Sequence, residues 1–519
     1  MRNATLLLFV LFGHQAIHAQ AGTLDLSFSG DGLHVWDVMS WDDRLSAVVV
    51  QPDGKTVGAG WVDDGNTSTI LVQRLMPDGT PDVSFGSGGL VTTGAIDHSY
   101  RAYAVGVQST GKIVVAGLAY DLNLDGNVIL VRYLADGTLD LTFGNGGITS
   151  SDLNGGPAFQ AAWSLGVMAD DRLVVVGEES ANGLVCARFT ADGFLDPSFG
   201  VNGVALTGVG FSTGLCLHLN ADGSVFAGGY RLDGDSDWML ARFRPDGVLD
   251  PTFGTGGVAT LDLAGGDTEM MRGVSVLDDG RIAACGYRSF QGLDDEPAVA
   301  LFEPNGDPHL AFGTGGLVLL PFTAPQWGQA WSIIAQPDDK LLVAGFRAEP
   351  GIPANNDFFL YRLLDDGSFD ASFAGGGQVY TDVSGSYDRA YAMALAPSGA
   401  IVLGGSGTGG LTSTAYARYV NDISTSVPVE MTSTSLRIYP TPATDHVMVE
   451  FEHEGNTRVK CTLHSSDGRR VLASDLISTS PGTHPYIIEL PPLIAAGRYV
   501  LEFSSAERTL RGAVMVMER

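Results

Sequence analysis

The sequence predicts an all-β protein: a seven-bladed β-propeller of four-stranded blades, followed by a small immunoglobulin-like β-sandwich. Three observations predict this fold. A phrase built around a phenylalanine recurs along most of the chain, short apolar runs between its copies end in tight turns, and the last part of the chain follows a different pattern. Glycine makes up 69 of 519 residues, which suits many tight turns because glycine readily adopts a positive φ.

The repeated phrase sets the period of the chain. Its first copies are LDLSFSGDG from Leu24 and PDVSFGSGG from Pro81. Between copies lie a strand–turn–strand segment, such as AVVVQPDGKTVGAG from Ala47, and a strand that ends in a turn, such as ILVRYLADG from Ile129. The anchoring phenylalanines, 54 to 61 residues apart, are Phe28, Phe85, Phe143, Phe199, Phe253, Phe312 and Phe373.

Each repeat therefore supplies four strands. Strand a follows the phenylalanine phrase, strands b and c flank the PDGK-like turn, and strand d precedes the next DG turn. Four antiparallel strands repeated seven times describe propeller blades. A solenoid is the alternative, although solenoid repeats rarely contain three reversals of direction.

The phrase LDxSFGxxG, combined with RxxxDG at a fixed register, resembles the delta-60 repeat family. The resemblance covers roughly residues 24–422. It implies a β-propeller domain of a bacterial exported protein. It implies little about chemistry, because little biochemical activity attaches to that family.

The N-terminal residues have the pattern of a signal peptide. Arg2 supplies the positive charge, residues 4–12 are apolar, and the small residues Ala19 and Ala21 follow. Nine apolar residues are too few to cross a bilayer core of about 30 Å. The predicted domains are a signal peptide over 1–21, a propeller over 22–422, a linker over 423–435 and a C-terminal domain over 436–519.

The C-terminal segment resembles the type A sorting domain of type IX secretion. The resemblance rests on YPTPA from Tyr439, the turn at Asp467–Gly468 and GRYVLEF from Gly497. Thr441 stands where the family has asparagine, which puts a turn-specific role of that side chain in doubt. The resemblance implies the type IX secretion machinery as a partner, and a protein secreted or held at the outer cell surface by way of the periplasm. An accessory Ig-like binding module is the alternative.

Charge and motifs limit the classes of function. The net charge is −30, which argues against nucleic acid as a partner and favours cations or neutral ligands. No P-loop, HExxH or zinc-type cysteine spacing occurs, and GFSTG from Gly210 lacks the strand-to-helix context of a nucleophile elbow. No catalytic residue is therefore assigned. Cys186, Cys216 and Cys285 lie within apolar strand-like runs and are predicted to be buried free thiols.

The connections between strands c and d are acidic in one repeat after another, and aromatic residues recur at one position early in strand b. Carboxylates beside aromatic platforms suit glycan binding, either direct or assisted by calcium. The candidate binding residues are Asp121, Asn123, Asp125, Asp233, Asp235, Asp237, Tyr103, Trp163, Trp331 and Tyr391. The alternative is that the acids solubilise the loops and the aromatics pack as core.

One acidic connection also resembles the first half of a calcium loop. Asp121, Asn123 and Asp125 are its candidate metal ligands, and calcium is the one cofactor that the sequence suggests. Ile129 and Arg132 occupy the ninth and twelfth positions, where neither can ligate calcium. Ordinary turn capping is the alternative.

The repeat register also predicts ion pairs. An arginine on strand d lies eight residues before an aspartate, which itself lies three before the anchoring phenylalanine. At one junction between successive repeats, Leu301 stands at the arginine position and His309 at the aspartate position. The loss of both partners together is expected if an unpaired arginine or aspartate would destabilise a partly buried site. Two independent surface roles are the alternative. The predicted pairs are Arg74–Asp82, Arg132–Asp140, Arg188–Asp196, Arg242–Asp250 and Arg362–Asp370, with Arg418–Asp25 closing the ring.

These observations predict an exported or cell-surface propeller that acts as a binding or interaction module for an extracellular glycan, other polymer or protein. A secreted polysaccharide-active hydrolase or lyase with an unrecognised propeller site is the alternative function. A purely structural role in a surface layer is a third.

Overall fold

The computed structural model describes most of the repeat region and the strands of the C-terminal region. The described residues are 20–38, 42–95, 98–121, 126–153, 160–179, 183–263, 268–290, 294–322, 327–349, 352–408, 412–422, 436–439, 446–453, 458–465, 470–477, 482–490, 497–504 and 509–516. They contain strands and turns but no helix. No described helix could therefore cross a membrane.

The strands of the repeat region, in chain order, are β1 (Leu33–Trp36), β2 (Asp42–Val50), β3 (Thr56–Asp63), β4 (Ser68–Leu75), β5 (Leu90–Thr93), β6 (His98–Val107), β7 (Ile113–Asp121), β8 (Gly126–Tyr133), β9 (Ile148–Ser151), β10 (Gln160–Val167), β11 (Leu173–Glu179), β12 (Gly183–Phe189), β13 (Val204–Leu206) and β14 (Ser212–Leu219). They continue with β15 (Val225–Asp233), β16 (Asp235–Phe243), β17 (Val258–Leu261), β18 (Thr268–Val276), β19 (Ile282–Phe290), β20 (Asp294–Phe302), β21 (Leu317–Leu319), β22 (Gly328–Ala335), β23 (Leu341–Glu349), β24 (Ile352–Leu363), β25 (Gln378–Thr381), β26 (Arg389–Leu395), β27 (Ile401–Thr408) and β28 (Thr412–Tyr419).

These strands form seven antiparallel four-stranded sheets, so the predicted seven-bladed propeller is confirmed. Blades 1 to 6 are β2–β5, β6–β9, β10–β13, β14–β17, β18–β21 and β22–β25. Each repeat supplies three strands to one blade and its strand a to the outer edge of the blade before it. The first strands of consecutive blades contact one another around the ring, and β26 contacts β2 to complete it.

Blade 7 joins the two ends of the repeat region. It has the order β1-β28-β27-β26, so the N-terminal strand completes the sheet begun by the last repeat. Leu33 pairs with Ala417 and Trp36 with Thr414. The Nε of Arg418 lies 2.9 Å from Asp25 Oδ2, at the same junction. Ring closure therefore leaves β28 no exposed edge, which protects a β protein from edge-to-edge association.

The hydrophobic core lies between blades. One cluster joins Val57 and Ile70 of blade 1 to Ile113 and Val131 of blade 2, and equivalent clusters follow around the ring. The last cluster packs Phe28 and Tyr416 with residues of blade 1. All seven anchoring phenylalanines have 0% exposed area, because the turns they begin fold back against the neighbouring blade.

The arginine and the aspartate lie within ion-pair distance of each other in all six predicted pairs. The distances from arginine Nε to aspartate Oδ2 are 2.8 Å in four internal pairs: Arg74–Asp82, Arg132–Asp140, Arg188–Asp196 and Arg362–Asp370. The fifth pair, Arg242–Asp250, is longer, at 3.4 Å from Nη1. At the junction where Leu301 and His309 replace the pair, His309 Nδ1 instead lies 2.7 Å from Glu303 Oε1.

The C-terminal strands form two further antiparallel sheets. Their strands are β29 (Leu436–Tyr439), β30 (His446–His453), β31 (Arg458–Ser465), β32 (Arg470–Ile477), β33 (Gly482–Glu489), β34 (Gly497–Ser504) and β35 (Thr509–Val516). One sheet has the order β29-β30-β33 and the other β32-β31-β34-β35, as a small β-sandwich requires. The turn at Asp467–Gly468 and most of YPTPA lie outside the described residues.

Candidate binding site

The first strand of every blade contains a β-bulge at the same repeat position. In β2 the pairing with β3 skips Ser46, because Leu45 pairs with Gly60 and Ala47 with Ala59. The same skip occurs in the other six blades. We call the seven skipped residues the bulge ring: Ser46, Tyr103, Trp163, Leu215, Arg272, Trp331 and Tyr391.

A glycine in the second strand permits each bulge. Gly60 pairs with the residue before the bulge, and a Cβ atom added there would lie 1.8 Å from the Arg44 carbonyl oxygen. Gly117 shows the same close approach, at 1.9 Å from the Arg101 oxygen. Only glycine fits such a position. The equivalent residues in the other blades, all with a Cβ position within about 2 Å of a backbone oxygen, are Gly177, Gly229, Gly286, Gly345 and Gly405.

The bulge ring surrounds a central cavity of about 460 Å³, a volume within the usual range for ligand pockets. All seven first strands contribute to its wall. Tyr103, Trp163, Trp331 and Tyr391, predicted from sequence as binding residues, all line it, and each is half-buried. They are thus neither sealed in the interblade core nor spread over separate surfaces.

The cavity aromatics are arranged in contact with one another. Tyr103 and Trp163 have ring centroids 4.2 Å apart at an angle of 32°, while Trp331 and Tyr391 meet edge to face at 4.8 Å. The indole N–H of Trp331 donates to Gln329 Oε1 at 2.9 Å. Burial raises the pKa of Tyr103, so its phenol remains neutral at physiological pH. The wall therefore offers apolar ring surface together with hydrogen-bonding groups.

Three arginines also line the cavity: Arg44, Arg272 and Arg389. Arg272 belongs to the bulge ring, whereas Arg44 and Arg389 lie two residues before it in their strands. Among the described residues, no aspartate or glutamate lines the cavity. The cavity wall is thus cationic within a chain whose net charge is −30.

The carboxylates that the sequence groups with these aromatics have other neighbours. Asp237 lies 3.0 Å from Arg231, its direct cross-strand partner. Two further acidic residues that follow strand c in their repeats, Glu296 and Asp357, likewise face Arg288 and Arg347 across their sheets. Asp233 and Asp235 are exposed, and neither lines the cavity. The structure therefore brings the aromatic half of the predicted site together in one cavity and leaves these carboxylates outside it.

The predicted calcium ligands fall where the structure gives no side-chain description. Asp121 ends β7, but its side chain is not described, and Asn123 and Asp125 lie outside the described residues. A different acidic group lies between blades 4 and 5: ligand atoms of Asp237, Asp262 and Glu269 lie within 4.8 Å of one another. Burial raises the pKa of Glu269 to about 7. The negative charges of Asp262 and Asp237 add to this increase, and a hydrogen bond from Leu263 N opposes it.

The other members of the bulge ring and the cavity arginines are not predictable from residue type in the sequence. Ser46, Leu215 and Arg272 share no chemistry with the aromatic members, so residue type alone does not group them. The signal that groups them is the glycine near the end of strand c in every repeat, because it fixes the bulge and therefore the register of the ring.

Comparison with known proteins supports the class that the fold defines, a β-propeller built from sequence repeats. Five segments match a family model described as a domain of unknown function (DUF5122) beta-propeller, at residues 51–85, 108–143, 169–199, 220–253 and 336–373. Each segment ends at an anchoring phenylalanine. The matches therefore recover the repeat unit.

Solved structures similar to this chain include very different proteins. Sqt1 from Chaetomium thermophilum is 13% identical, with 70% of this chain and 80% of that chain covered and a TM-score of 0.37. Drosophila semaphorin 2a is 8% identical, with coverages of 94% and 98% and a TM-score of 0.40. A family 43 arabinoxylan arabinofuranohydrolase from Bacillus subtilis is 12% identical, with coverages of 96% and 98% and a TM-score of 0.25. No curated protein matches the sequence significantly.

Proposed function

We propose that this protein is an exported binding module whose central cavity receives a glycan, as a chain end or a short oligosaccharide. One observation carries the proposal: equivalent positions of all seven blades converge on one cavity, and four of the seven residues there are aromatic. Sugars combine apolar ring faces with many hydroxyl groups. Aromatic side chains beside Ser164, Gln329 and Ser332 complement both features.

The chemistry of the cavity wall favours binding over hydrolysis. Most glycoside hydrolases use two carboxyl groups that flank the scissile bond. No described residue of the cavity wall carries a carboxyl group. Glu178 does not line the cavity, but its carboxyl group lies close to the wall residue Trp163 and accepts a hydrogen bond from Thr213 Oγ1 at 3.0 Å. A hydrolase or lyase would need its acid and base from elsewhere.

The binding proposal is tested by titrating the purified full-length protein with neutral and acidic oligosaccharides. Binding is followed by tryptophan fluorescence and calorimetry, and products are analysed for every ligand that binds. We expect saturable binding without cleavage, weakened at least tenfold by Trp331→Ala. Phe194→Ala is the control, because Phe194 is an exposed aromatic residue outside the cavity wall. Binding that is unchanged in both Trp331→Ala and Trp163→Ala would contradict the proposed location.

We also propose that residues 1–21 direct export and that residues 436–519 act as a type IX sorting signal. The supporting features are the apolar run after Arg2 and the resemblance of YPTPA and GRYVLEF to the sorting domain.

The sorting proposal is tested in a bacterium that has a type IX secretion system. The full chain should reach the cell surface or the medium, whereas a chain lacking residues 436–519 should accumulate in the periplasm. The control keeps the C-terminal domain and replaces residues 423–435 with a Gly/Ser segment of equal length, which should still be secreted. Equal secretion of the chain without residues 436–519 would contradict a sorting role.

A further inference from the structure

The charge of the central cavity is the opposite of the charge of the whole chain. Arg44, Arg272 and Arg389 line it, and no described carboxylate shares the wall. Arg44 has one acidic neighbour, Asp42, at 2.9 Å, and both side chains of that pair are 40% exposed. Among the described residues, no carboxylate lies within ion-pair distance of Arg272 or Arg389. Charged groups taken partly out of water normally have such a partner.

Aromatic rings hold these guanidinium groups in place of carboxylates. The Arg272 Cζ lies 4.3 Å from the centroid of Trp331, and the Arg389 Cζ lies 4.9 Å from that of Phe346. Arg44 lies at a longer distance, 5.9 Å from Trp61. A ring face attracts a guanidinium but does not neutralise its charge, and it accepts no strong in-plane hydrogen bond. The Nε atoms of all three arginines are buried and have no hydrogen-bond partner.

Arg101, at the equivalent strand position, has an acidic partner that neutralises its charge. Arg101 lies two residues before Tyr103, as Arg44 and Arg389 do before their bulge residues. Its Nη2 lies 3.4 Å from Asp63 Oδ2, its Nε donates to Ser68 Oγ at 2.9 Å, and it does not line the cavity. The fold thus supplies an acid to the arginine outside the cavity and none to Arg272 and Arg389.

We infer that the central cavity binds an anionic saccharide, with Arg272 and Arg389 as the partners of its carboxylate or sulfate group. The inference rests on the proposed glycan-binding function and names the class of glycan. A guanidinium presents a planar fork of donors that matches carboxylate and sulfate oxygens, while the adjacent ring surfaces suit the sugar. At physiological salt the Debye length is about 8 Å, so these local cations outweigh the distant acidic surface.

Three tetrasaccharide probes separate the contributions of charge and sugar. They are tetragalacturonate, its fully methyl-esterified form, and a sulfated carrageenan tetrasaccharide. The ester keeps the sugar rings and removes the charge. We expect the purified full-length protein to bind at least one acidic probe at least tenfold more tightly than the ester, and to lose affinity as the salt concentration rises. The two acidic probes distinguish a carboxylate ligand from a sulfate ligand.

Arginine variants then locate the charge partners. Arg272→Gln and Arg389→Gln should each weaken binding of the acidic probe by about ten- to a hundredfold, with little effect on the ester. Arg272→Lys keeps the charge but loses the planar fork, so it should fall between the wild type and Arg272→Gln. Arg244→Gln removes an equal charge from an exposed site outside the cavity and should leave affinity unchanged. Unchanged melting temperatures show that the variants are folded.

The outcomes separate this inference from the function on which it rests. Equal binding of the ester and the acidic probes, with no effect of either Gln variant, would overturn the anionic specificity and leave glycan binding intact. Binding of acidic probes that Arg244→Gln weakens as much as Arg272→Gln would also overturn it, because the charge effect would then be general. Binding of none of a wide panel of neutral and acidic saccharides would overturn both proposals.

Discussion

The arginine that recurs on strand d has several roles at once. Arg74 Nε binds Asp82 within its own repeat, and its Nη1 donates to the Ala135 carbonyl oxygen of the next blade at 2.6 Å. Its Cζ also lies 4.5 Å from the centroid of Phe85. Burial would raise the pKa of Asp82, but hydrogen bonds from Ser84 and the charges of Lys55 and Arg74 lower it to about 2. One ion pair thus connects strand, turn and neighbouring blade.

The substitution of both partners at Leu301 and His309 suggests a double-mutant test in blade 2. Arg132→Leu leaves Asp140 buried with only Lys112 as a cation, at 2.9 Å, so we expect a loss of about 3 kcal/mol in the free energy of unfolding. The double variant Arg132→Leu/Asp140→His should lose less than the sum of the single losses. Urea denaturation measures all four proteins. Additive losses would show that the two residues act independently.

The register of the repeats was enough to predict these pairs from sequence, because both members recur at a constant separation. The acidic loops were harder to interpret for a physical reason. Asp237 lies directly opposite Arg231, and Glu296 directly opposite Arg288, but this pairing follows from strand register and not from the recurrence of acidic residues. The recurrence of acidic residues therefore groups these carboxylates with the aromatics but does not reveal their cationic neighbours.

At the scale of the strand, a glycine and a bulge together determine the direction of the cavity side chains. A bulge adds one residue to a strand and turns the following side chains, and the second-strand glycine makes room for the displaced carbonyl group. Strand alternation and aromatic recurrence predict four of the seven ring members. Neither pattern predicts Arg272, because it shares neither side-chain type nor charge with the equivalent residues of the other blades. Only the position of the bulge shows that Arg272 belongs to the ring.

Substitution of the second-strand glycine Gly345 by alanine should disrupt the cavity, although Gly345 does not itself line it. The Cβ of Gly345→Ala would lie 2.0 Å from the Gln329 oxygen and 2.8 Å from Phe359, so β22 must shift at Trp331. We expect a loss of stability of a few kcal/mol and a changed tryptophan emission spectrum. Gly376→Ala is the matched control, since nothing lies within 4 Å of its Cβ position and its φ is not positive. Equal effects of the two substitutions would contradict the role of the bulge.

At the scale of the whole molecule, stability depends on closing the ring. Removing residues 20–36 would delete β1, Asp25 and the fully buried Phe28, and would leave β28 as an open edge beside β27. We expect this truncated protein to self-associate and to melt at a lower temperature. Light scattering and thermal denaturation measure the two effects. Leu26→Ser, at a side chain that is 67% exposed, is the control and should remain monodisperse.

The charge pattern of the whole molecule predicts a stability maximum at mildly acidic pH. The repeated aspartates, such as Asp82 and Asp370, have pKa values lowered to about 2 by hydrogen bonds and cations that outweigh the effect of burial. Their stabilising contribution is complete above their unfolded pKa of 3.8 and is lost as the pH falls towards 2.

Two buried carboxyl groups act in the opposite direction. Burial raises the pKa of Glu269 to about 7 and that of Asp388 to about 6, although hydrogen bonds from Leu263 N and from Ser384 oppose the shifts. Because the folded state binds protons more tightly at these groups, their contribution is complete below the unfolded pKa and is lost as the pH rises from about 4 to 7. Both groups of residues therefore favour the folded state most near pH 4 to 5.

The melting temperature at constant ionic strength should accordingly be highest near pH 4.5 and fall on both sides. Glu269→Gln keeps an acceptor for the Leu263 N–H and removes the titration, so it should recover about 2–3 kcal/mol of the stability lost between pH 5 and 8. Asp233→Asn removes a carboxylate that is exposed and outside the cluster, and should leave the profile as it is in the wild type. A melting temperature that rises steadily from pH 5 to 8 would contradict the assignment. It would mean that the carboxyl groups of Glu269 and Asp388 are fully ionised and compensated in the folded state.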